Sequence, residues 1–140
     1  MVLASGKFHP VVKENLTNSQ ATESRDTKEY LEHKLKRDLL RETILKAMAD
    51  NRVDSLAYPT IRRKANLIDQ AQLGTNCRFA SNSGLPAIVV PAGFTADGLP
   101  VGVELLGRSW SEPQLIRLAY AYEQGTHHRR PPSSTPALNR

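Results

Sequence analysis

Several features that would narrow the function of this chain are scarce or missing. Its 140 residues include one cysteine, one tryptophan and only 6% aromatic residues. The single cysteine, Cys77, excludes an internal disulfide and a cysteine-based zinc site. No run of about 20 apolar residues occurs, so the sequence predicts no membrane span. The apolar part of the N-terminus is too short for a signal peptide. We therefore expect a cytoplasmic protein.

The common motifs of catalysis are also missing. The sequence contains no Gly-x-Ser-x-Gly turn, no phosphate-binding loop and no His-Glu-x-x-His pair. No cluster of carboxylates suggests a metal site, and the histidines are scattered or close to the C-terminus. They are His9, His33, His127 and His128. The residues alone thus predict no metal, no cofactor and no catalytic group.

The basic excess is concentrated in two places. Of the net charge of +5, three charges come from Arg129, Arg130 and Arg140, which lie near the C-terminus without an acidic neighbour. Arg62-Arg63-Lys64 forms a second basic cluster. A nucleic-acid-binding face would interleave basic and aromatic residues on one folded surface. A solvated tail explains the charge more simply, so a nucleic-acid-binding accessory is the minor alternative.

A long amphipathic helix is predicted to begin at Asp26 or Thr27 and to end near Asp50. Its apolar residues recur every three or four positions. Asp26 and Glu29 have the spacing of a capping box. Asn51 is a plausible end, because asparagine tolerates the left-handed conformation.

A second helix is predicted from Ser111 to Gly125. Ser111 and Gln114 have capping-box spacing, and Gly125 is typical of a helix end. Residues 126–140 are predicted to form a flexible basic tail. Residues 1–25 are predicted to form a connecting segment with at most one helical turn. Ala65–Leu73 is predicted to form one or two helical turns.

Two apolar runs predict a β-hairpin over Ala87–Phe94 and Pro100–Gly107, with Asp97-Gly98 at its turn. Val53–Tyr58 predicts a further short strand that ends at Pro59. Gly102 leaves a core strand without a side chain at one position, which is typical of a close neighbour. Strands between helices indicate an α/β fold.

The hairpin also carries a family resemblance. Ser83–Phe94, which reads SGLPAIVVPAGF, and Gly98–Gly107, which reads GLPVGVELLG, resemble the C-terminal part of the amidase signature family. The resemblance extends back through Val53–Thr60 towards Leu3–Lys7, and forward to Glu123. It therefore implies that residues 1–125 form an incomplete, C-terminal portion of the amidase signature fold, a mixed-sheet hairpin flanked by helices.

What the resemblance implies about activity is partly negative. The family hydrolyses carboxamides with a Ser–cis-Ser–Lys triad, and an upstream Gly-Gly-Ser-Ser-Gly type of motif holds the oxyanion. Neither that motif nor the matching lysine occurs in this sequence. Ser81, Ser83 and Lys64 lie outside the motif's setting and inherit no catalytic role, so no catalytic residue is predicted.

The family's C-terminal part helps to wall the acyl-substrate pocket, and the resemblance makes Asn76, Arg78 and Phe79 the candidate substrate contacts. We expect a fragment of an amidase, inactive alone, whose amide substrate binds only in the whole enzyme. The alternative is a non-catalytic subunit or interaction module that docks on a triad-bearing chain. Apolar strands without sheet neighbours predict aggregation, a homo-oligomer or a complementing N-terminal chain as partner.

Overall fold

The computed structural model describes residues 2–22, 24–68 and 70–132. The chain divides into two compact units, residues 1–36 and residues 37–140. In the first unit, α1 (Val2–Ser5), a 3₁₀ turn (Pro10–Val12) and α2 (Lys13–Ala21) precede the start of α3. Neither α1 nor α2 buries a residue. The expected connecting segment is thus more helical than predicted, because Lys13–Ala21 contains no glycine or proline to interrupt a helix.

The long predicted helix is α3, which spans Lys28–Asp50. Thr27 caps it, since the backbone N–H of Tyr30 donates to Thr27 Oγ1 at 3.2 Å. The helix ends at Asp50, as predicted. The left-handed residue that follows is Arg52, with φ of 53°, and not Asn51; Asn51 Nδ2 instead donates to the Ala47 carbonyl at 2.8 Å.

Three strands form the sheet of the second unit, with β3 in the centre. They are β1 (Ser55–Pro59), β2 (Ala87–Phe94) and β3 (Pro100–Gly107), in the order β1-β3-β2. Both hairpin strands have the predicted bounds. The sheet is not mixed within the described residues, because β1 and β2 each pair antiparallel with β3. Val53 closes the end of α3 through a bond from its N–H to the Met48 carbonyl at 3.0 Å, so β1 begins later than predicted.

Helices cover both faces of this sheet. On one face, Leu106 packs with Ile44 and Met48 of α3 and with Leu85, and these four residues are the buried core cluster. On the other face lies α5 (Glu112–Thr126), which buries Leu115 and Ala119 and lies against β2 and β3. Alternate residues of each strand point to opposite faces, so the even-numbered residues of β3 face α3 and the odd-numbered ones face α5.

The ends of α5 differ from the prediction. Ser111 makes no side-chain cap to the helix; its hydroxyl instead donates to the Arg108 carbonyl at 2.7 Å. The helix continues past Gly125 to Thr126, and His127 ends it with φ of 50°. Thr126 therefore belongs to α5 and not to a tail. Beyond it, the Arg130 guanidinium lies 3.9 Å from the ring centre of Phe94 in β2. The remaining tail positions, 133–140, lie outside the described residues.

The segment between β1 and the short helix α4 (Arg78–Ser83) holds no helix among residues 65–68 and 70–73, contrary to prediction. Its turn depends instead on side-chain bonds, including one from the Asn66 N–H to Gln72 Oε1 at 2.9 Å. A bridge between Ile61 and Thr75 closes the segment and brings Asn76 back to the end of β1. Position 69 of the predicted helical stretch lies outside the described residues.

Candidate substrate pocket

The three predicted substrate contacts lie together. Asn76, Arg78 and Phe79 line a pocket of about 300 Å³. Leu40, Arg62, Thr75 and Asn82 complete its lining. Residues from α3, from the segment between β1 and α4 and from α4 itself therefore meet at one pocket.

Asn76 fixes the loop to the strand. Its N–H donates to the Thr60 carbonyl at 2.9 Å, and its Nδ2 donates to the Pro59 carbonyl at 2.7 Å. Because both of these bonds go to the backbone, they give Asn76 a positioning role. The second N–H of its Nδ2 and its amide oxygen remain for a direct contact with substrate.

The Phe79 ring packs against a neighbouring ring, whereas the Arg78 side chain is exposed. The Phe79 ring packs edge-on against Tyr58, with ring centres 5.6 Å apart and an angle of 63° between the planes. Arg78 is exposed, and its side chain makes no hydrogen bond or ion pair with any described residue. Of the three predicted contacts, Arg78 alone offers a charged group that a substrate could bind.

Behind Phe79, a buried polar pair joins the two strands. Glu104 of β3 is 3% exposed, and the Tyr58 hydroxyl donates to its Oε1 at 2.8 Å. Burial, the hydrogen bond to Glu104 and the negative charge of that carboxylate raise the pKa of the Tyr58 phenol above its ordinary value. Tyr58 therefore stays protonated and can continue to donate this bond.

Sequence reasoning missed this pair, although one signal was available. Glu104 is the only charged residue in the run Val101–Leu106, and a charged side chain inside an apolar strand needs a partner when it is buried. Thr60 lies on the same face of the sheet, and its Oγ1 is buried without a hydrogen-bond partner. The face behind the pocket is thus more polar than the sequence predicted.

Ser83 and Lys64, for which no catalytic role is predicted, make structural contacts. The Ser83 hydroxyl is fully buried and donates to the Phe79 carbonyl at the end of α4. Lys64 Nζ lies 2.9 Å from Asp97 Oδ1. Residues 2–22, 24–68 and 70–132 contain no group of three or more histidine, cysteine, aspartate or glutamate residues able to hold a metal ion. Over the same residues, no helix is long and apolar enough to cross a membrane.

A larger depression of about 570 Å³ lies on the other side of α4. Arg41, Leu85 and Trp110 are among its lining residues. Trp110 is 90% exposed and has φ of 64°, a conformation that a bulky side chain rarely adopts. Arg41 donates from Nε to the Ser83 carbonyl at 2.7 Å, so part of its charge is already engaged in fixing α4.

Comparison with known proteins decides the family. The family model described as Amidase matches residues 3–116. The chain belongs to the amidase signature family. Among solved structures, it is similar to a peptide amidase from Stenotrophomonas maltophilia, with 37% identity and a TM-score of 0.75 over 86% of this chain and 25% of that one. Allophanate hydrolase from Kluyveromyces lactis matches at 25% identity with a TM-score of 0.65, over 91% of this chain and 22% of that one.

Curated relatives give the same family. The A subunit of glutamyl-tRNA(Gln) amidotransferase from Synechococcus sp. (strain JA-2-3B'a(2-13)) is 35% identical over 118 residues, which are 78% of this chain and 22% of the relative. The counterpart from Desulforudis audaxviator is 51% identical over 55 residues, 39% of this chain and 11% of that protein. The chain therefore spans about a quarter or less of the length of these amidase relatives.

Proposed function

We propose that this chain forms the C-terminal part of an amidase signature hydrolase and supplies one wall of its acyl-substrate pocket. The observation that carries the proposal is the family match over residues 3–116 in a sequence that lacks the Gly-Gly-Ser-Ser-Gly type of motif. In this proposal the chain is cytoplasmic, has no catalytic triad and does not hydrolyse carboxamides by itself. The substrate is a small carboxamide that binds only in the whole enzyme.

The pocket supports a division of roles among its residues. Asn76 holds the loop on β1, and Phe79 closes the pocket against Tyr58. Arg78 faces the substrate and pairs with a carbonyl oxygen or a carboxylate of the acyl part. An arginine suits this role because its planar donors match such groups.

A hydrolysis assay tests the first half of the proposal. The purified chain is incubated with simple carboxamides and ammonia release is measured, with the Stenotrophomonas maltophilia peptide amidase as positive control. We expect no release above the uncatalysed rate, because no described serine has a base to activate it. Turnover comparable to that of the control would refute the proposal.

A chimera tests the second half. Residues 3–116 replace the matching quarter of the peptide amidase, and Arg78→Ala is compared with Arg108→Ala, an arginine that binds the Val53 carbonyl away from the pocket. If Arg78 contacts substrate, Arg78→Ala raises KM about 10-fold or more, whereas Arg108→Ala leaves KM unchanged. If the Arg78→Ala chimera is folded and active and its KM equals that of the unmutated chimera, Arg78 does not contact the substrate.

The alternative is a non-catalytic subunit that docks on a separate triad-bearing chain. The observation that favours it is the presence of exposed large apolar side chains in the second unit, including Leu39 at 64%, Ile116 at 60% and Tyr120 at 64%. Co-expression with the triad-bearing remainder of the peptide amidase separates the two proposals. Stable co-purification with restored amide hydrolysis favours the docking role, and failure to associate favours a fragment. Nucleic acid and membranes are not expected as partners.

A further inference from the structure

The segment that follows α5, residues 128–132, lies against the second half of β2. The ring centre of His128 is 6.3 Å from that of Tyr122 in α5. Two residues further on, the Arg130 guanidinium lies over the Phe94 ring, 3.9 Å from its centre. Contacts with α5 and with β2 therefore both hold this segment in place.

The backbone of β2 leaves room for the segment. The register with β3 shifts between Pro91 and Gly93. Gly93 has φ of 117°, a conformation that glycine adopts without steric cost. A methyl group on Gly93 would lie 3.9 Å from His128 Nδ1. The irregularity of the strand thus places its backbone beside the His128 ring.

A cleft of about 550 Å³ lies between this segment and the β2–β3 hairpin. We call it the hairpin cleft. Its volume is within the range of small-molecule sites, roughly 300–1,000 Å³. Phe94 and four prolines form most of its apolar lining. These prolines are Pro91, Pro100, Pro131 and Pro132. The cleft therefore suits a ligand with an apolar body better than an inorganic ion.

The ionisable residues that line the hairpin cleft are all basic. They are His128, Arg129 and Arg130, and no aspartate or glutamate is among the described residues that line it. Neither arginine makes a hydrogen bond or ion pair with any described residue. Asp97, which precedes the lining residue Gly98, is paired with a lysine. Two positive charges in the cleft therefore lack a counter-charge.

Arg130 is held in place by a contact that does not use its hydrogen-bond donors. A guanidinium over an aromatic ring is attracted to the π-system, and its five N–H donors stay available. These donors match the oxygens of a carboxylate or a phosphate. Because the Phe94 ring already restricts the Arg130 side chain, less conformational freedom is lost when an anion binds.

We propose that the hairpin cleft binds a small organic anion. Its oxyanion group, a carboxylate or a phosphate, pairs with Arg129 and Arg130, and its apolar body lies against Phe94 and the prolines. The unpaired charges select an anion over a neutral ligand, and the apolar lining selects an organic anion over an inorganic one. The inference does not rest on the proposed function, since the hairpin cleft and the candidate substrate pocket share no lining residue.

Titration of the purified full chain, followed by nuclear magnetic resonance of its backbone amides, tests the proposal. The probes are benzoate and phenyl phosphate, and benzamide is the uncharged control. We expect saturable shifts at Gly93, Phe94 and Gly98 with at least one of the two anions, and the tighter one identifies the oxyanion. Benzamide should bind about 10-fold or more weakly, because it cannot form charge-assisted bonds with arginine. Inorganic phosphate should bind more weakly than phenyl phosphate, because it has no apolar body.

Variants assign the binding to the cleft. Arg130→Ala should weaken binding of the tighter anion about 10-fold or more. Arg130→Lys keeps a cation without the planar donors and should recover part of this loss. Arg117→Ala is the matched control, because Arg117 is an exposed arginine of α5 that does not line the cleft. It should leave binding unchanged.

Circular dichroism shows whether each variant is folded. If Arg130→Ala does not fold, Arg129→Ala removes the other unpaired charge and should also weaken binding. Four results would overturn the proposal. They are no saturable binding of either anion at millimolar concentration, benzamide binding as tight as that of benzoate, inorganic phosphate binding as tight as that of phenyl phosphate, or unchanged anion binding by folded Arg130→Ala.

Discussion

At Gly102, β3 passes close to residues on both of its sides. A methyl group on Gly102 would lie 2.9 Å from Thr60 Oγ1 and 3.1 Å from Val89 Cγ1. The first distance is shorter than real contacts of this kind, so a neighbour on the flanking strands must move. The close neighbour that the Val-Gly-Val pattern predicted is thus confirmed, on both sides of the strand.

We expect Gly102→Ala to lower the free energy of unfolding by about 1–3 kcal/mol, since overpacking in a core is destabilising by this amount. Gly125→Ala is the matched control. It lies within α5 with nothing near an added methyl group, so it should stabilise the chain by about 0.5–1 kcal/mol. Chemical denaturation measures both. If Gly102→Ala leaves the free energy of unfolding unchanged, β1 or β2 moves to accommodate the added methyl group without cost.

Tyr58 and Glu104 form the buried polar pair behind the pocket. Tyr58→Phe removes the donor and leaves a buried carboxylate without its partner, so we expect a loss of about 1–3 kcal/mol in the free energy of unfolding. When Glu104→Met is added, no buried charge remains and much of the loss should be recovered. Additive effects in this double-mutant cycle would show that the two side chains do not interact in solution.

Asp97, at the hairpin turn, carries the clearest dependence on pH. Hydrogen bonds from Lys64 and from Thr95 lower the pKa of the Asp97 carboxyl to about 2, from an ordinary value of 3.8. A lowered folded-state pKa stabilises the fold above the unfolded value, and this contribution is lost as pH falls through the folded value. The window is therefore roughly pH 4 to pH 2.

A carboxyl titration by nuclear magnetic resonance checks this turn. We expect Lys64→Met to raise the pKa of Asp97 towards its ordinary value, because the first cause of the shift is removed. Lys46→Met removes a lysine that pairs with Asp50 instead, and it should leave Asp97 unchanged. If Lys64→Met also has no effect, the ion pair is absent in solution.

At the scale of elements, two arginines of α3 hold the end of α4. Arg37 donates from Nε to the Asn82 carbonyl at 2.9 Å and from its terminal nitrogen to the Ser81 carbonyl at 3.0 Å. Arg41 binds the Ser83 carbonyl. The last carbonyls of a helix lack partners within it, and here side chains of another helix supply them. This contact fixes α4, and with it the wall of the pocket.

Arg41→Ala should therefore lower the free energy of unfolding by about 1 kcal/mol. This is less than the loss of a fully buried hydrogen bond to a charged group, because the Arg41 side chain is 45% exposed. Arg117→Ala is the control, since Arg117 is an exposed arginine of α5 that makes no hydrogen bond or ion pair with any described residue. Surface changes of this kind stay within about 0.5 kcal/mol. Chemical denaturation measures both variants, and equal effects would show that the contact with α4 does not contribute to stability.

The elements differ in how far their sequences predict them. The hairpin strands have the predicted bounds, because two apolar runs and an Asp-Gly turn are local signals. The pairing of β1 with β3, by contrast, joins Ser55 to Gly107 and has no local signal. The end of α5 was misplaced because His127 adopts the left-handed conformation that glycine usually supplies. The pocket residues were predicted from resemblance, whereas Tyr58 and Glu104 meet only through the sheet.

At the scale of the whole molecule, the two units bury very different amounts of side chain. Within the first unit, α1 has four residues and α2 has nine, and neither buries a residue. Isolated helices of this length are marginal in water. In the second unit, β3 pairs on both sides and lies between two helical layers, with Leu106 at 1% exposure.

Hydrogen exchange on the full chain should therefore separate the units. We expect the amides of α1 and α2 to exchange close to their unfolded rates, because local opening there breaks few apolar contacts. The amides of β3 should exchange most slowly and set the global stability. The amides of β1 that bond to β3 serve as the internal control, since they should share this slow exchange. Equal protection of α2 and β3 would contradict this assignment and would mean that the first unit is stabilised by contacts as extensive as those of the sheet.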